Sequence, residues 1–253
     1  MTPAHIELIK NTIPVLRENG VTLTQYFYQR MLNGHPELKN TFNLDHQSSG
    51  MQPRALAAAV LAYAENIENP AVLAKAVERI TTKHVSLNIQ PEQYDIVGEH
   101  LLHSISEVLD VPMESELIAA WAAAYTQLAE LLIGVEKAKY ESLTAQNGGW
   151  AGWRTFVVQT IDGDTQSKII RLVPQDQAAV ITAQSEDFIS VRVELSQHGL
   201  RQPQQFKVLS STTEHYDIQV NAEKSPSEYS VIQALLGQIQ VGDIVEVSAP
   251  MKL

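Results

Sequence analysis

The 253-residue chain contains no cysteine, which excludes disulfide bridges, zinc fingers, cysteine-ligated iron–sulfur clusters and thiol nucleophiles. Positive charge is also scarce, because 18 Lys and Arg residues stand against 29 Asp and Glu and give a net charge of −11. This acidity disfavours nucleic acid and anionic membranes as partners. The chain has no basic, apolar leader, and its longest apolar-rich stretch, 117–135, is interrupted by polar residues. We therefore expect a cytoplasmic protein without membrane insertion.

Several common enzyme signatures are missing as well. There is no phosphate-cradling glycine loop, no G-x-S-x-G turn and no H-E-x-x-H helix. What is present is a composition of 44% hydrophobic and 19% charged residues, which is enough to bury real cores. Because domains cluster near ~100–150 residues, the length favours two of them.

The first part of the sequence predicts an all-α domain of six to eight helices. Thr2 and Pro3 are typical of a helix start; Pro14 is expected to bend this helix and Gly20 to end it. Further helices are predicted over 22–33, after Pro36, over 53–66, 70–84 and 91–109, and from 117 to about 145, with a polar loop at 46–50.

The residue pattern of the chain changes at Gly148 and Gly149, where short alternating runs of Val, Ile and Thr begin. Strands are predicted over 155–161, 168–173, 179–182, 188–195, 206–210, 216–220 and 243–248, with one helix over 229–236. Short strands of this kind favour a small antiparallel barrel. The predicted domains are therefore 1–148 and 149–253.

The histidines leave alternatives open. His100 and His103 lie at i, i+3 and could hold a metal, but no carboxylate has a matching spacing, which favours solvated positions on a helix surface. His84 ends an amphipathic helix and, taken alone, is more often a capping or core residue than a ligand. Three further residues would also be core or surface residues on this basis: Tyr28, Phe42 and Gln52.

Taken together, four segments resemble the haem domain of the bacterial flavohaemoglobins. The strongest is KHVSLNIQPEQYDIVGEHLL at 83–102. The others are NTIPVLRENGVTLTQYFYQRML at 11–32, HPELKNTFN at 35–43 and AYAENIENP at 62–70. The resemblance covers residues 1–148 and implies a globin fold that binds haem b.

The resemblance also implies roles for single residues on one side of the haem. His84 matches the axial ligand to the iron. Tyr94 and Glu136 match two residues that form a hydrogen-bonded group with that histidine. A carboxylate near the imidazole proton makes the ring a stronger electron donor, which favours activation of oxygen over simple carriage.

On the other side of the haem, Tyr28 matches a tyrosine whose hydroxyl hydrogen-bonds the oxygen ligand. Gln52 and Leu56 match the other two positions there. Phe42 matches a phenylalanine that packs on the haem.

The second domain resembles the flavin-binding barrel of ferredoxin-reductase-like proteins at GGWAGWRTF (148–156) and VGDIVEVSAP (241–250). The expected fold is thus multidomain, α plus β: a globin followed by a small antiparallel Greek-key β-barrel. The family's flavin signature, Arg-x-Tyr-Ser, is matched best by Arg201-Gln202-Pro203-Gln204. Arg201 would contact FAD phosphate, whereas Pro203 cannot stack like tyrosine. Glu228 would repel a pyrophosphate at the phosphate-contacting segment.

The resemblance implies nitric oxide dioxygenation, in which NO and O2 yield nitrate. The chain stops at Leu253, where full-length relatives continue into a nicotinamide-binding domain, and it has no dinucleotide fingerprint. We therefore expect no NAD(P)H site and a separate reductase as the electron source. The alternative is a non-enzymatic store or sensor of O2 or NO, with the barrel as a docking or ligand-binding module.

Overall fold

The computed structural model describes residues 1–184, 186–224 and 226–252, so Leu253, the predicted end of the second domain, lies outside it. The described residues form eight α-helices and seven β-strands. They divide into two compact units. The first comprises Met1–Glu37, His46–Glu78 and Gln90–Val135, and the second Leu38–Asp45, Arg79–Ile89 and Glu136–Leu253.

The elements of the first 144 residues are all helices joined by short turns, as predicted. The α-helices are α1 Pro3–Asn11, α2 Ile13–Gly34, α3 Leu44–Ser48, α4 Met51–Glu65, α5 Ala74–Ser86, α6 Pro91–Leu109 and α7 Glu116–Thr144. Two 3-10 helices, Pro36–Asn40 and Pro70–Leu73, join them. The predicted start at Thr2 is confirmed, because its side chain accepts a hydrogen bond from the backbone N–H of His5.

Two predicted features of the N-terminal helices are wrong. Pro14 does not bend a helix but lies in the first turn of α2, and α2 continues through Gly20 to Gly34. Gly20 is buried, and a Cβ added there would lie 3.5 Å from the Cβ of Ala57 in α4. Close packing of the two helices offsets the roughly 1 kcal/mol that glycine costs within a helix.

The predicted loop at 46–50 is also partly helical, because α3 extends to Ser48.

Helix α7 is long and apolar enough to cross a membrane, judged by length and composition alone. A single helix of this kind is weak evidence, since the core helix of a globular domain passes the same test. The buried face of α7 includes Trp121, Ala124 and Leu132, which is typical of such a core helix.

The second part of the chain forms an antiparallel barrel. Its elements are β1 Arg154–Gly163, β2 Ser167–Pro174, β3 Asp187–Leu195, β4 Leu200–Ser211, β5 Tyr216–Asn221, α8 Val231–Gly237, β6 Ile244–Val247 and β7 Met251–Lys252. The strands pair in the order β4-β5-β2-β1-β6-β3, and β3 pairs with β4, which closes a six-stranded barrel. Consecutive strands β2 and β3 are not neighbours, so the connection is of the Greek-key kind. The predicted fold class is confirmed.

The predicted strand at 179–182 is absent from the ladders of the described residues. The backbone N–H of Val180 donates to the Thr213 carbonyl, and the Ala179 carbonyl accepts from the Arg154 guanidinium. Val180 is nonetheless buried in the barrel core, which explains the apolar pattern that suggested a strand. Strand β7 was not predicted, and its two residues are too short a run to give a signal.

Candidate functional site

The eight residues singled out from the sequence fall in both compact units. The first unit holds Tyr28, Gln52, Leu56 and Tyr94, and the second holds Phe42, His84, Glu136 and Arg201.

A buried carboxylate in α7 holds the imidazole of His84. Nδ1 of His84, in the last turn of α5, lies 2.8 Å from Oε1 of Glu136, which is only 3% exposed. An ionised carboxylate only accepts hydrogen bonds, so Nδ1 carries the proton in this pair. Nε2 is therefore the ring atom through which His84 would bind a metal. The predicted partnership of His84 and Glu136 is present.

Helix α7 also donates hydrogen bonds to the chain before and after His84. Lys139 Nζ donates to Thr82 Oγ1 over 3.1 Å, and the Tyr140 hydroxyl donates to the Ile89 carbonyl over 2.8 Å. Burial lowers the pKa of the neighbouring Lys83. The two hydrogen bonds from α7 thus restrain the segment that carries the imidazole, both before and after His84.

Phe42 lies in the turn between the 3-10 helix at 36–40 and α3, and it is half-buried. Strand β4 fixes this turn from its C-terminal side. Asn43 Nδ2 donates to Gln204 Oε1 over 2.8 Å, and the backbone N–H of Leu44 donates to Gln202 Oε1 over 2.8 Å. The Pro203 carbonyl also accepts from Asn43 Nδ2 over 2.8 Å, so three of the four residues matched to the flavin signature bind the segment that carries Phe42.

Arg201 is the second residue of β4, and its side chain is 55% exposed. Its guanidinium lies 3.6 Å from Glu246 Oε2, which Arg192 also contacts at 2.8 Å. Arg192 in turn lies over the Trp153 ring, 4.5 Å from its centroid. Because a carboxylate already faces Arg201, its contact with a cofactor phosphate stays a prediction.

The Tyr28 hydroxyl is buried in the first unit, and the side chain is 7% exposed. Burial raises the pKa of Tyr28. The side-chain amides of Gln47 and Gln52 have the opposite, smaller effect on this pKa. Burial dominates, so the hydroxyl keeps its proton at neutral pH and can donate a hydrogen bond.

Two amide atoms of the glutamines that contact Tyr28 are buried without a hydrogen bond among the described residues: Gln47 Nε2 and Gln52 Oε1. Leaving such an atom unsatisfied costs about 1–3 kcal/mol, so a small polar ligand beside Tyr28 would be stabilised here. The Tyr28 hydroxyl and Gln47 Nε2 are donors that fit a small iron-bound ligand, and the imidazole of His84 is, by itself, a group that fits haem iron. Gln47 was not predicted, since its only sequence signal is its position five residues before Gln52.

Helices α2 and α4 set the relation between Tyr28 and Gln52. Thr24 lies one turn before Tyr28, and its hydroxyl donates to the Pro53 carbonyl over 2.8 Å. Leu56 lies one turn after Gln52 on α4 and is half-buried. Three of the predicted residues thus belong to one helix pair.

Tyr94 is buried in the first turn of α6, and its carbonyl accepts a 2.5 Å hydrogen bond from the Tyr125 hydroxyl. A Cβ added at Gly98 would lie 2.5 Å from Tyr125 Cε1, so only glycine lets this ring reach α6. The predicted grouping of Tyr94 with His84 and Glu136 stays a prediction.

His100 is not the solvated residue that was predicted. It is 6% exposed, and its Nδ1 accepts a 2.7 Å hydrogen bond from Arg30 Nη1, since a guanidinium only donates. The i, i+3 spacing of His100 and His103 could not predict this burial, because the burial results from α2 covering that face of α6. Over the described ranges, no cluster of three or more His, Asp or Glu side chains could hold a metal ion.

Comparisons with known proteins show which family this chain resembles. The Globin family model matches residues 25–132. A flavohemoprotein from Bordetella pertussis is 44% identical over 253 residues, which covers 99% of this chain and 63% of the relative. The chain therefore spans less than two thirds of the length of that curated relative.

Solved structures give the same likeness. A flavohemoglobin from Malassezia yamatoensis, with bound FAD and heme, has a TM-score of 0.87 and 25% identity, covering 100% of this chain and 64% of that one. An engineered carbene transferase from Rhodothermus marinus, described as a nitric oxide dioxygenase candidate, has a TM-score of 0.53 and 31% identity, covering 57% of this chain and 99% of that one.

Proposed function

Because this chain belongs to the flavohaemoglobin family of globins, we propose that it binds haem b and acts as a nitric oxide dioxygenase, converting NO and O2 to nitrate. The observation that carries the proposal is the contact of His84 with the buried carboxylate of Glu136, joined over 2.8 Å. The family relation supplies the reaction class.

His84 is proposed to hold the haem iron: Nε2 would bind the metal while Nδ1–H donates to Glu136. The carboxylate orients the ring and increases its electron donation, as hydrogen-bonded partners of metal-binding histidines generally do. The haem, when bound, supplies a redox-active iron that takes diatomic ligands. With Glu136 as its partner, His84 would be an electron-rich ligand and would favour reaction of O2 over its simple release.

Tyr28 and the two glutamines are the proposed binding site for O2 and NO. The protonated hydroxyl of Tyr28 would donate to the ligand and hold it for attack. Gln47 Nε2, which lacks a partner within the described residues, would donate a second hydrogen bond to the ligand. Gln52 Oε1 is an acceptor, which O2 and NO cannot satisfy, so the proposed role of Gln52 is to line the site beside Tyr28. Leu56 and Phe42 are the proposed apolar contacts of the haem.

We propose that the electrons come from a reductase module outside residues 1–253, which contain no dinucleotide fingerprint. The barrel fold supports FAD binding, and a solved relative binds FAD. Against it, Pro203 and Gln204 stand where the matched signature has tyrosine and serine. Measuring flavin fluorescence released from the purified protein decides whether the barrel carries FAD. The proposed location is the cytoplasm.

The test of the proposed function is the reaction of the reduced, oxygen-loaded protein with NO. We expect a Soret band in the purified protein, rapid consumption of NO and stoichiometric nitrate. Tyr28→Phe should slow the reaction, while Tyr26→Phe, a change on the exposed side of the same helix, should leave it unaltered. Slow NO consumption together with a ligand-dependent change in the barrel would instead indicate a store or sensor.

A further inference from the structure

A buried serine lies two residues after His84, at the end of α5. Ser86 is 1% exposed, and its hydroxyl donates to the Lys83 carbonyl over 2.8 Å. The carbonyls in the last turn of a helix have no partner within the helix, so this bond closes one of them. It fixes the backbone directly before His84.

Two barrel strands donate hydrogen bonds to the same hydroxyl. Ser190 Oγ of β3 donates over 3.0 Å, and Gln205 Nε2 of β4 donates over 3.0 Å. A serine hydroxyl has one proton and two lone pairs, so these bonds together with the bond to Lys83 saturate Ser86. The direction of every bond is therefore determined: the barrel donates to Ser86, and Ser86 donates to α5.

The barrel end of this chain of hydrogen bonds is buried and rigid. Ser190 is 0% exposed, and its backbone N–H donates to Ser248 Oγ over 2.9 Å. The backbone N–H of Ser248 donates back to the Ser190 carbonyl over 2.9 Å. Buried networks with every group satisfied hold one geometry, because any displacement leaves a polar atom without a partner.

We propose that Ser86 is a positioning residue for the axial histidine, through which strands β3 and β4 set the orientation of His84. Glu136 restrains the imidazole directly, and the Ser86 network restrains the backbone that carries it. The barrel thus acts on haem chemistry through hydrogen bonds alone, with or without flavin. This inference rests on the proposed function for the identity of the ligand.

The experiment compares Ser86→Ala with Ser106→Ala in the full chain. Ser106 is a matched control, since it is also buried near the end of a helix and donates to one carbonyl, that of Val111 over 2.6 Å. The first measurement is the iron–histidine stretching band of the ferrous, haem-loaded protein by resonance Raman spectroscopy. The second is amide hydrogen exchange at Leu87 and Ile89, whose N–H groups donate to the His84 carbonyl.

We expect Ser86→Ala to shift and broaden the iron–histidine band and to speed exchange at both amides about tenfold, the scale of one lost hydrogen bond. Ser106→Ala should change neither. Ser190→Ala should give the same shift in smaller degree, and adding it to Ser86→Ala should have no further effect.

An iron–histidine band that is the same in Ser86→Ala as in Ser106→Ala would overturn the inference. If the unmodified protein shows no haem bands, the proposed function fails. The exchange comparison on the haem-free chain then still decides whether Ser86 holds the turn of His84. Equal exchange rates in the two variants would overturn the inference there as well.

Discussion

Replacing Glu136 by glutamine is expected to raise the reduction potential of the haem-loaded protein by about 60 mV. The substitution keeps the size of the side chain and removes its charge. Glu136 is 3% exposed and lies 2.8 Å from Nδ1 of His84, within the range of charge-assisted hydrogen bonds. The change therefore acts on the imidazole rather than on solvent.

The magnitude follows from the difference between two kinds of hydrogen bond. A bond to a charged group contributes about 1.5–3 kcal/mol and a neutral one about 0.5–1.5 kcal/mol, so the amide weakens the interaction by roughly 1.4 kcal/mol. The carboxylate favours the more positive ferric state, and its loss makes reduction easier. For a one-electron couple, a tenfold change in equilibrium constant corresponds to about 59 mV, which sets the expected shift and its positive sign.

The assay is a potentiometric titration followed by visible absorbance, with Glu141→Gln as the control. Glu141 is an exposed carboxylate on the same helix, so its neutralisation should leave the potential unchanged. An unmodified potential in Glu136→Gln, together with an unmodified iron–histidine stretching band, would refute the role given to this carboxylate.

Three further outcomes are expected. Tyr28→Phe should speed O2 dissociation about tenfold in flash photolysis, because a hydrogen bond from the buried hydroxyl is lost; an unchanged rate would remove Tyr28 from the ligand site. Gly98→Ala should lower the free energy of unfolding by about 1–3 kcal/mol in urea, since the new Cβ would lie 2.5 Å from the Tyr125 ring; an unchanged midpoint would contradict this clash. Arg171 lowers the pKa of Asp217 from its ordinary value of 3.8, so the carboxylate stabilises the fold above that pH and loses its effect as the pH falls through the folded pKa. The stability difference between the unmodified protein and Asp217→Asn should therefore shrink on acidification below 3.8, and a constant difference would contradict the assignment.

Local signals predicted the helices and strands well where periodicity and packing agree. The alternation over 188–195 became β3, and Thr2 does cap α1. The errors arose where a distant contact overrides a local preference. Gly20 stays helical because α4 packs against it, and Val180 is buried without pairing in a ladder.

The candidate site shows the same division. The resemblance supplied His84, Glu136 and Tyr28 with their expected roles, and the hydrogen bond between the first two is present. The resemblance did not identify Gln47 as a site residue, because nothing in the neighbouring sequence distinguishes it from a polar loop residue. Its importance comes only from its contact with the buried hydroxyl of Tyr28.

The sequence by itself determined which chemistry is open to this protein. The lack of cysteine leaves histidine as the obvious axial ligand. The change in residue pattern at Gly148 separates the helices from the strands. These properties depend on residue type and short-range spacing, which can be read along the chain. Secondary structure follows from them wherever local propensity and burial agree.

Only the tertiary structure decided which groups act together. Glu136 is 52 residues from His84, and Ser190 is 104 residues from Ser86, yet each pair is joined by a hydrogen bond. Such bonds require the chain to fold back with sub-ångström accuracy, and this accuracy comes from the packing of α7 and the closure of the barrel between β3 and β4. Packing is a property of the whole fold, so no local pattern could have predicted that a barrel serine supports the turn of His84.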